Sequence, residues 1–156
     1  MTLTLRALDT SEVSALTDLL HRAYAPLAAR GLRYLASHQD EETTRRRIEG
    51  GSCIVAVDGA VIVGSITWHP PGPDGVATFQ QFCVEPGYQR RGIATMLLDD
   101  AERRARAAGA KAFSCDTAEP ATDLIAWYER RGYAVTGVAD YRPVTNYPSV
   151  VLTKPL

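Results

Sequence analysis

Hydrophobic positions near the start of the chain change from a strand period to a helix period. The pattern predicts a strand from Leu3 to Leu8 and then a helix. The helix has apolar residues three or four positions apart, which places them on one face: Val13, Leu16, Leu19, Leu20 and Ala23. Asp9 and Glu12 stand at capping-box spacing before it. Pro26 and Gly31 predict that this helix is interrupted near Leu27.

The pattern in the middle of the chain predicts a β-hairpin followed by another strand. Two apolar runs, 53–57 and 60–63, flank Asp58-Gly59, a pair that tight two-residue turns favour. We expect the second strand of the hairpin to continue through Trp68. A further strand is predicted from Val76 to Val84.

The remaining elements alternate between helices and strands. They are predicted as a polar helix at 40–49, a helix at 92–108, a strand at 112–117, a helix at 122–131, and strands at 133–138 and 149–154. This order mixes hairpins with one crossover helix. It predicts an α+β sandwich around a mixed sheet, in a single domain spanning residues 1–156.

Charged residues on two predicted helices are spaced as self-compensating, solvated faces. On the 92–108 helix an acid precedes a base by four residues three times: Asp99 and Arg103, Asp100 and Arg104, Glu102 and Arg106. On the polar helix, Arg45-Arg46-Arg47 follows Asp40-Glu41-Glu42. We interpret both faces as exposed to solvent. The arginine run is therefore not interpreted as a nucleic-acid-binding surface.

The overall charge narrows the class of protein further. With 17 basic and 18 acidic side chains and a pI near 6.3, the chain lacks the broad basic surface of nonspecific nucleic-acid binders. The sequence contains no run of 18 apolar residues, so it predicts no membrane span. The first residues lack a signal-peptide pattern. We expect a soluble cytoplasmic protein without nucleic-acid or membrane partners.

The cysteines and histidines show neither a disulfide framework nor metal-ligand spacing. Cys53, Cys83 and Cys115 lie far apart in apolar runs, where a cysteine is typically a small buried hydrophobe. The three histidines have no ligand spacing to each other or to cysteine. The sequence therefore predicts no metal site.

The most informative segment runs from Phe82 to Thr95. A strand ends in a Pro-Gly turn, and a basic, glycine-bearing loop leads directly into a helix. Free N–H groups and the partial positive charge at a helix start form an anion site. The small residues Gly92 and Ala94 allow a phosphate to approach the main chain closely, and Arg90 and Arg91 add positive charge. Neither a P-loop nor a dinucleotide glycine motif is present.

Two motifs in the chain resemble those of the GCN5-related N-acetyltransferase (GNAT) family. Gln89-Arg90-Arg91-Gly92-Ile93-Ala94 is similar to the acetyl-CoA signature Q/R-x-x-G-x-G/A, preceded by a strand-ending Val84-x-Pro86. Farther on, the segment 127–133 resembles the second signature, Y-E-K/R-x-G-F/Y. The likeness covers nearly the whole chain. It implies a GNAT-type α/β sandwich whose mixed, mostly antiparallel sheet has six to seven strands and about four flanking helices.

The resemblance also implies a cosubstrate, acetyl-CoA, and the residues that bind it. The implied cofactor-binding loop comprises Gln89, Arg90, Arg91, Gly92, Ile93, Ala94 and Thr95. Its main-chain amides would hold the pyrophosphate, and the Thr95 hydroxyl would assist. The preceding strand usually carries a bulge and splays from its neighbour, so the main chain at Phe82 and Val84 would pair with pantetheine.

The implied reaction is direct attack of an amine on the thioester, with no acyl-enzyme. A backbone N–H near Val84 would steady the developing oxyanion. Tyr128 stands at the family's general-acid position, and a phenol holds its proton at neutral pH. The alternative is that Tyr128 belongs to the aromatic core. Arg130 and Arg131 are interpreted as ordinary features of a helix C-terminus.

Two departures from the family pattern affect the expected site. Ala121 stands where the family commonly has an asparagine that contacts the cofactor; a water or the Thr122 hydroxyl could substitute. Gln80 and Gln81 occupy the strand where many members carry a glutamate base. The candidate replacements are Glu85, Asp116, Glu119 and His69, and a water relay or an already deprotonated amine is equally compatible.

The acceptor is expected to be a small amine or a peptide amine. Its pocket is predicted from aromatic and arginine residues early and late in the chain: Tyr24, Arg33, Tyr34, His38, Tyr141, Arg142 and Tyr147. These suit an amine that bears a carboxylate or phosphate, although each is equally compatible with an ordinary loop position. A homodimer is possible.

Two other function classes compete with the enzyme. A catalytically weak CoA-binding sensor or regulatory domain is favoured by the two glutamines and the missing asparagine. A partner-binding domain that keeps only the architecture is disfavoured, because the charged, small-residue loop at Gln89–Thr95 has little structural purpose without an anion.

Overall fold

Seven strands and four α-helices form the framework of residues 2–156, the part of the chain that this computed structural model describes. The strands are β1 (Leu3–Ala7), β2 (Ser52–Asp58), β3 (Val61–His69), β4 (Val76–Val84), β5 (Ala112–Ala118), β6 (Ala134–Ala139) and β7 (Ser149–Pro155). The helices are α1 (Val13–Ala29), α2 (Glu41–Ile48), α3 (Ile93–Ala107) and α4 (Thr122–Glu129). The predicted α+β architecture is confirmed.

All strands join one sheet in the order β1-β2-β3-β4-β5-β7-β6. Five of its six neighbouring pairs are antiparallel. The parallel exception joins β4 to β5 at Val76–Thr78 and Ala112–Ser114 and ends there. Both strands continue without pairing to each other, so the sheet opens at its centre.

The core lies on both faces of the sheet. β2 is buried through its whole apolar run, which is typical of a strand covered on both sides. Ile54 on one face belongs to a cluster with Leu97 of α3, and Val55 on the other belongs to a cluster with Leu16 of α1. The three cysteines are buried free thiols, as predicted. No helix within residues 2–156 has the length and hydropathy needed to cross a bilayer.

Helix α1 begins as predicted but ends later than expected. Asp9 and Glu12 form the predicted capping box, at a short 3-10 turn that runs into α1. Pro26 lies inside α1 and does not interrupt it, which corrects the sequence prediction. Beyond Pro26, Leu27 packs against a cluster that includes Leu32 and Tyr147, a burial that offsets the helical hydrogen bond that a proline cannot form.

The hairpin of β2 and β3 is confirmed, with its turn displaced by one residue. Asp58 pairs with Val61, so the two turn residues are Gly59 and Ala60 and not Asp58-Gly59. Gly59 has a φ of 61°, the left-handed conformation that a primed turn requires at its first central position. The register of the hairpin shifts at a bulge, where β3 has the extra residue Val63 opposite the step from Ala56 to Val57.

The predicted solvated face of α3 is wrong at two of its acidic residues. Asp100 and Glu102 are buried, with exposed fractions of 9% and 6%. Asp100 binds Arg104 as the spacing predicts, and it also binds Arg103. Glu102 accepts hydrogen bonds from the Tyr133 hydroxyl at 2.7 Å and from Lys154 at 2.9 Å. Its partner is therefore on β7 and not on its own helix.

Substituting Glu102 tests whether this buried carboxylate stabilises the docking of α3 on the sheet. We expect Glu102→Ala to lower the free energy of unfolding by about 2–3 kcal/mol, because it leaves Tyr133 and Lys154 without their acceptor. The exposed neighbour Asp99→Ala should change it by less than about 0.5 kcal/mol. Urea unfolding measures both. Equal effects of the two substitutions would contradict this role of Glu102.

Candidate active site

A cavity of about 1270 Å³ fills the opening between β4 and β5. Its walls come from the second half of β4, from β5, and from α1, α2 and α4. One end reaches the loop between β4 and α3, which includes Gln89 and Gly92. The cavity therefore connects the predicted anion site to the interior of the sheet.

A bulge in β4 accompanies the opening. Gln81 and Phe82 together face Ile66 of β3, because Thr67 pairs with Gln80 and Ser65 pairs with Cys83. Gln81 has a φ of 51°, which is uncommon for a residue with a side chain.

Hydrogen bonds hold the unusual conformation of Gln81 in place. Its buried amide donates to Thr67 Oγ1 at 3.0 Å and accepts from Gln39 Nε2 at 2.7 Å. Ser65 Oγ donates to the Gln81 carbonyl at 2.8 Å. These contacts offset the backbone strain of the bulge.

The strand residues Phe82 and Val84 both line the cavity, as expected for a main chain that binds an extended ligand. The carbonyl of Phe82 accepts a hydrogen bond from the Tyr24 hydroxyl at 2.9 Å. The Phe82 ring lies against the rings of Trp127 and Tyr128. Phe82 thus connects α1 and α4 across the opening.

The loop before α3 has the geometry of an anion site. Arg90 and Gly92 have φ values of 63° and 79°, and Gly92 forms the N-cap of α3. Within residues 2–156, the amides of Gly92, Ile93, Ala94 and Thr95 have no main-chain or side-chain acceptor. These N–H groups and the helix dipole can together hold a phosphate.

The cavity is lined by eight of the nine residues that the resemblance implied for cofactor binding, namely Phe82, Val84, Gln89, Arg90, Gly92, Ile93, Ala94 and Thr95. Arg91 lies outside this lining, with its guanidinium 5.1 Å from the centre of the Tyr88 ring. Ile93 is 1% exposed and its side chain packs in the core, so only its main chain is available to a ligand.

Arg131 joins the second motif to the anion loop, which the sequence interpretation missed. It donates to the Trp127 carbonyl at 2.9 Å, as a residue near a helix C-terminus does. It also donates to Thr95 Oγ1 at 3.3 Å, and it lines the cavity. Nothing in the local sequence around Arg131 indicates this contact, because Thr95 lies 36 positions away.

Tyr128 lines the cavity on α4 and packs in an aromatic cluster with Phe79, Phe82 and Tyr133. Burial, and secondarily the neighbouring Cys115 thiol, raises the pKa of Tyr128 well above its ordinary value of 10.0. The phenol therefore keeps its proton throughout the physiological range. Its packing and its place in the cavity are compatible with both interpretations of the residue.

The departures from the family pattern can be located in the structure. Ala121 is fully buried beside Ala118 and Tyr147, and neither Ala121 nor Thr122 lines the cavity. Gln80 and Gln81 both do. The family asparagine thus has no evident substitute at this position.

Of the four candidate bases, Asp116 alone lines the cavity. It accepts a hydrogen bond from the Tyr141 hydroxyl at 2.5 Å. Glu85 forms an ion pair with Arg22. His69 Nε2 lies 2.8 Å from the Arg47 carbonyl oxygen.

The expected acceptor pocket forms around tyrosines. Tyr34 contacts the rings of Tyr24 and Tyr147 at centroid distances of 5.4 and 5.1 Å, and all three line the cavity, as does Tyr141. The other three predicted residues, Arg33, His38 and Arg142, are exposed and do not line it. They are ordinary loop residues, which was the alternative interpretation.

Arg47 supplies the positive charge of this pocket and corrects the interpretation of the arginine run. Arg45 and Arg46 are exposed, whereas Arg47 is largely buried and lines the cavity. It donates to Gln39 Oε1 at 2.6 Å. The helix period turns the third arginine of the run inward, and only the position of α2 on the sheet shows which one.

Comparison with known proteins agrees with this geometry. The model of the acetyltransferase (GNAT) family matches residues 14–133. The chain belongs to this family. A curated relative, the S-(2-succino)cysteine N-acetyltransferase of Bacillus subtilis, is 33% identical over 136 residues, covering 83% of this chain and 82% of the relative.

Solved structures of other acetyltransferases share the fold. The ribosomal-protein-S18-alanine N-acetyltransferase of Escherichia coli superposes with a TM-score of 0.80 at 17% identity, covering 99% of this chain and 94% of that one. A GNAT acetyltransferase from Elizabethkingia anophelis with acetyl-CoA bound gives 0.73 at 17% identity, covering 99% and 98%. Both likenesses concern the fold.

This acetyltransferase uses acetyl-CoA as its cosubstrate. The structure fits that molecule, because the four unpaired amides at 92–95, at the start of α3, suit a pyrophosphate and the open β4 edge suits an extended arm. The prediction of an acetyl-CoA-dependent N-acetyltransferase is confirmed.

Replacing Gly92 tests the position of the phosphate site. A Cβ at Gly92 meets no atom within 4 Å, so Gly92→Glu should fold with a loss of about 1–2 kcal/mol from its left-handed backbone. Its carboxylate would repel the pyrophosphate, and we expect calorimetry to show acetyl-CoA binding at least about 100-fold weaker.

Gly109→Glu is the matched control. Gly109, at the other end of α3, has a φ of 89° and equally open surroundings. This variant should carry the same backbone strain and keep its affinity for acetyl-CoA. Undiminished binding by Gly92→Glu would place the phosphates elsewhere.

Proposed function

We propose that this acetyltransferase transfers the acetyl group to the primary amine of a small molecule by direct attack, with Tyr128 as the general acid. The observation that carries the proposal is the single cavity that contains the unpaired amides of the anion loop, the open edge of β4 and Tyr128. No nucleophilic cysteine is needed. Burial raises the pKa of Cys83 to about 12 and that of Cys115 still higher, so both thiols stay protonated.

Each protein group in the proposed reaction has a separate task. Acetyl-CoA supplies an activated acyl group. The main chain at Phe82 and Val84 orients the thioester, and an N–H near Val84 donates to its carbonyl oxygen as negative charge develops. Tyr128 then donates its proton to the departing sulfur. Because the raised pKa of Tyr128 exceeds the ordinary thiol value of about 8.5, the phenolate then takes up the proton that the new amide nitrogen loses, which restores the phenol and leaves CoA as the free thiol.

The amine must lose a proton before or during attack. Asp116 is the candidate base best supported by its position, since it lines the cavity and the other three candidates do not. An amine that reaches the site already deprotonated needs no base, and this alternative stays open. A water relay also stays open.

The acceptor class that the pocket fits best is an amino acid with additional carboxylates. The Bacillus subtilis relative is named for an acceptor of this kind, S-(2-succino)cysteine. The cavity beside β4 offers three tyrosine rings and the Arg47 guanidinium. Aromatic walls with a largely buried cation suit a small, anionic amine.

A CoA-binding regulatory domain with weak catalysis is the second candidate. Two observations favour it: neutral Gln80 and Gln81 replace the usual glutamate, and buried Ala121 replaces the family asparagine. Release of free thiol in a screen of amino-acid acceptors separates the two candidates. The single-domain organisation over 1–156, the cytoplasmic location and the homodimer stay predictions.

Tyr128→Phe tests the proposed acid. We expect kcat to fall about 100-fold because the departing sulfur loses its proton donor, while the affinity for acetyl-CoA is unchanged. Tyr133→Phe is the matched control, since it removes a hydroxyl from an adjacent ring that binds Glu102. It should lower stability and leave kcat unchanged. Equal kcat values for Tyr128→Phe and the wild type would assign Tyr128 to packing.

The pH dependence of kcat gives a second test of Tyr128. A raised pKa keeps the phenol protonated to higher pH, so the acid is lost only above its ordinary value of 10.0. We therefore expect kcat to rise with pH as the bound amine or its base loses a proton, and then to stay level to about pH 10. A decline between pH 7 and 9 would contradict a Tyr128 acid with a raised pKa.

A further inference from the structure

Arg47 is a largely buried cation without an acidic partner. No carboxylate within residues 2–156 lies within 4.0 Å of its guanidinium, whereas other arginines, such as Arg22, Arg30 and Arg104, form ion pairs. Burial lowers the pKa of Arg47 from its ordinary 12.5, which still leaves it charged at neutral pH.

Two neutral glutamines hold the Arg47 side chain in position. Nη1 donates to Gln39 Oε1 at 2.6 Å, and Nε and Nη2 donate to Gln80 Oε1 at 3.3 and 3.1 Å. A guanidinium has five N–H donors. One N–H on each terminal nitrogen therefore has no acceptor among residues 2–156, and the side chain lines the cavity.

The surroundings of Gln39 and Gln80 fix the guanidinium further. Gln39 is 2% exposed, and its amide nitrogen binds Thr44 and Gln81 at 2.8 and 2.7 Å. Gln80 donates from its own amide to the Arg47 carbonyl at 2.9 Å. The charge is thus pre-organised by neutral groups and left uncompensated, which is costly unless a ligand supplies the anion.

The position of Arg47 indicates which ligand supplies that anion. Arg47 binds Gln80, which lies on β4 before the bulge, whereas the anion loop follows Val84 at the other end of the strand. The four residue steps from Gln80 to Val84 span about 13 Å along the strand. The pyrophosphate therefore occupies a different end of the cavity, and the anion at Arg47 comes from the acceptor.

We propose that Arg47 binds a carboxylate of the acceptor amine and thereby selects anionic amino acids. This inference rests on the proposed acetyl transfer to a small amine and names its substrate class. A carboxylate can accept the two free N–H donors of the fixed guanidinium, a charge-assisted arrangement. The neutral side chain of Gln80 contributes to this selectivity, because a glutamate at position 80 would neutralise the charge of Arg47 and repel the substrate carboxylate.

The binding test uses S-(2-succino)cysteine and its analogue with each carboxylate replaced by a carboxamide. Calorimetry on the protein saturated with CoA should show the acid binding about 10- to 100-fold more tightly than the carboxamide. Arg47→Met should abolish this preference. Arg46→Met, an equal charge loss on the exposed face of α2, should retain it.

Gln80→Glu is the second variant and keeps the test informative if Arg47→Met does not fold. It keeps an acceptor for the Arg47 guanidinium, gives up the donor to the Arg47 carbonyl and cancels the charge of Arg47, so the preference for the acid should again be lost. An equal affinity for acid and carboxamide in the wild type, or no binding of either, would overturn the proposal. So would a preference that survives both Arg47→Met and Gln80→Glu.

Turnover with acetyl-CoA separates this inference from the proposed function. If the acid binds through Arg47 and no acetyl group is transferred, the carboxylate site stands and the proposed acetyl transfer to this acceptor fails. If transfer occurs with the same KM in the wild type and Arg47→Met, the proposed function stands and the role of Arg47 fails. The expected result is an increase in KM of about 10- to 100-fold, with little change in kcat.

Discussion

The short pairing of β4 with β5 is the constraint on which the rest of the site depends. The two strands pair only at Val76–Thr78 and Ala112–Ser114, and the bulge at Gln81 lies just beyond. An opening in a sheet leaves polar main chain without partners, which is unfavourable unless other groups or a ligand satisfy it. Here Tyr24 satisfies one carbonyl, and the remaining edge lines the cavity in which an extended cosubstrate fits.

Local patterns in the sequence were sufficient for most of the elements and for the loop that leads into α3. β4 has the bounds that its apolar period predicts, and the glycine-bearing loop leads into α3 as expected. Contacts between distant segments were not predictable in this way. Glu102 binds Lys154, which lies 52 positions away, and Arg131 binds Thr95, which lies 36 positions away. The spacing of residues along one helix could not indicate either partner.

The charges at the proposed acceptor end of the cavity differ from the usual family arrangement. Where many members place a glutamate on β4, this chain has neutral glutamines, and the charged group is Arg47 on a neighbouring helix. From the sequence we interpreted Arg47 as exposed to solvent, because the pattern of a short polar helix does not show which of its sides faces the sheet. The neutral side chain of Gln80 leaves the Arg47 guanidinium uncompensated, which is the basis of the proposed selection of an anionic acceptor.

The most direct measurement is an amide-resolved NMR titration of the 156-residue protein with acetyl-CoA, with ATP as the control. We expect acetyl-CoA to shift the amide resonances of residues 92–95 together with those of Phe82 and Val84, whereas ATP should leave the resonances of the β4 amides unchanged. Shifts confined to other parts of the chain, or an undisturbed β4, would contradict the assignment of the opening as the acetyl-CoA site.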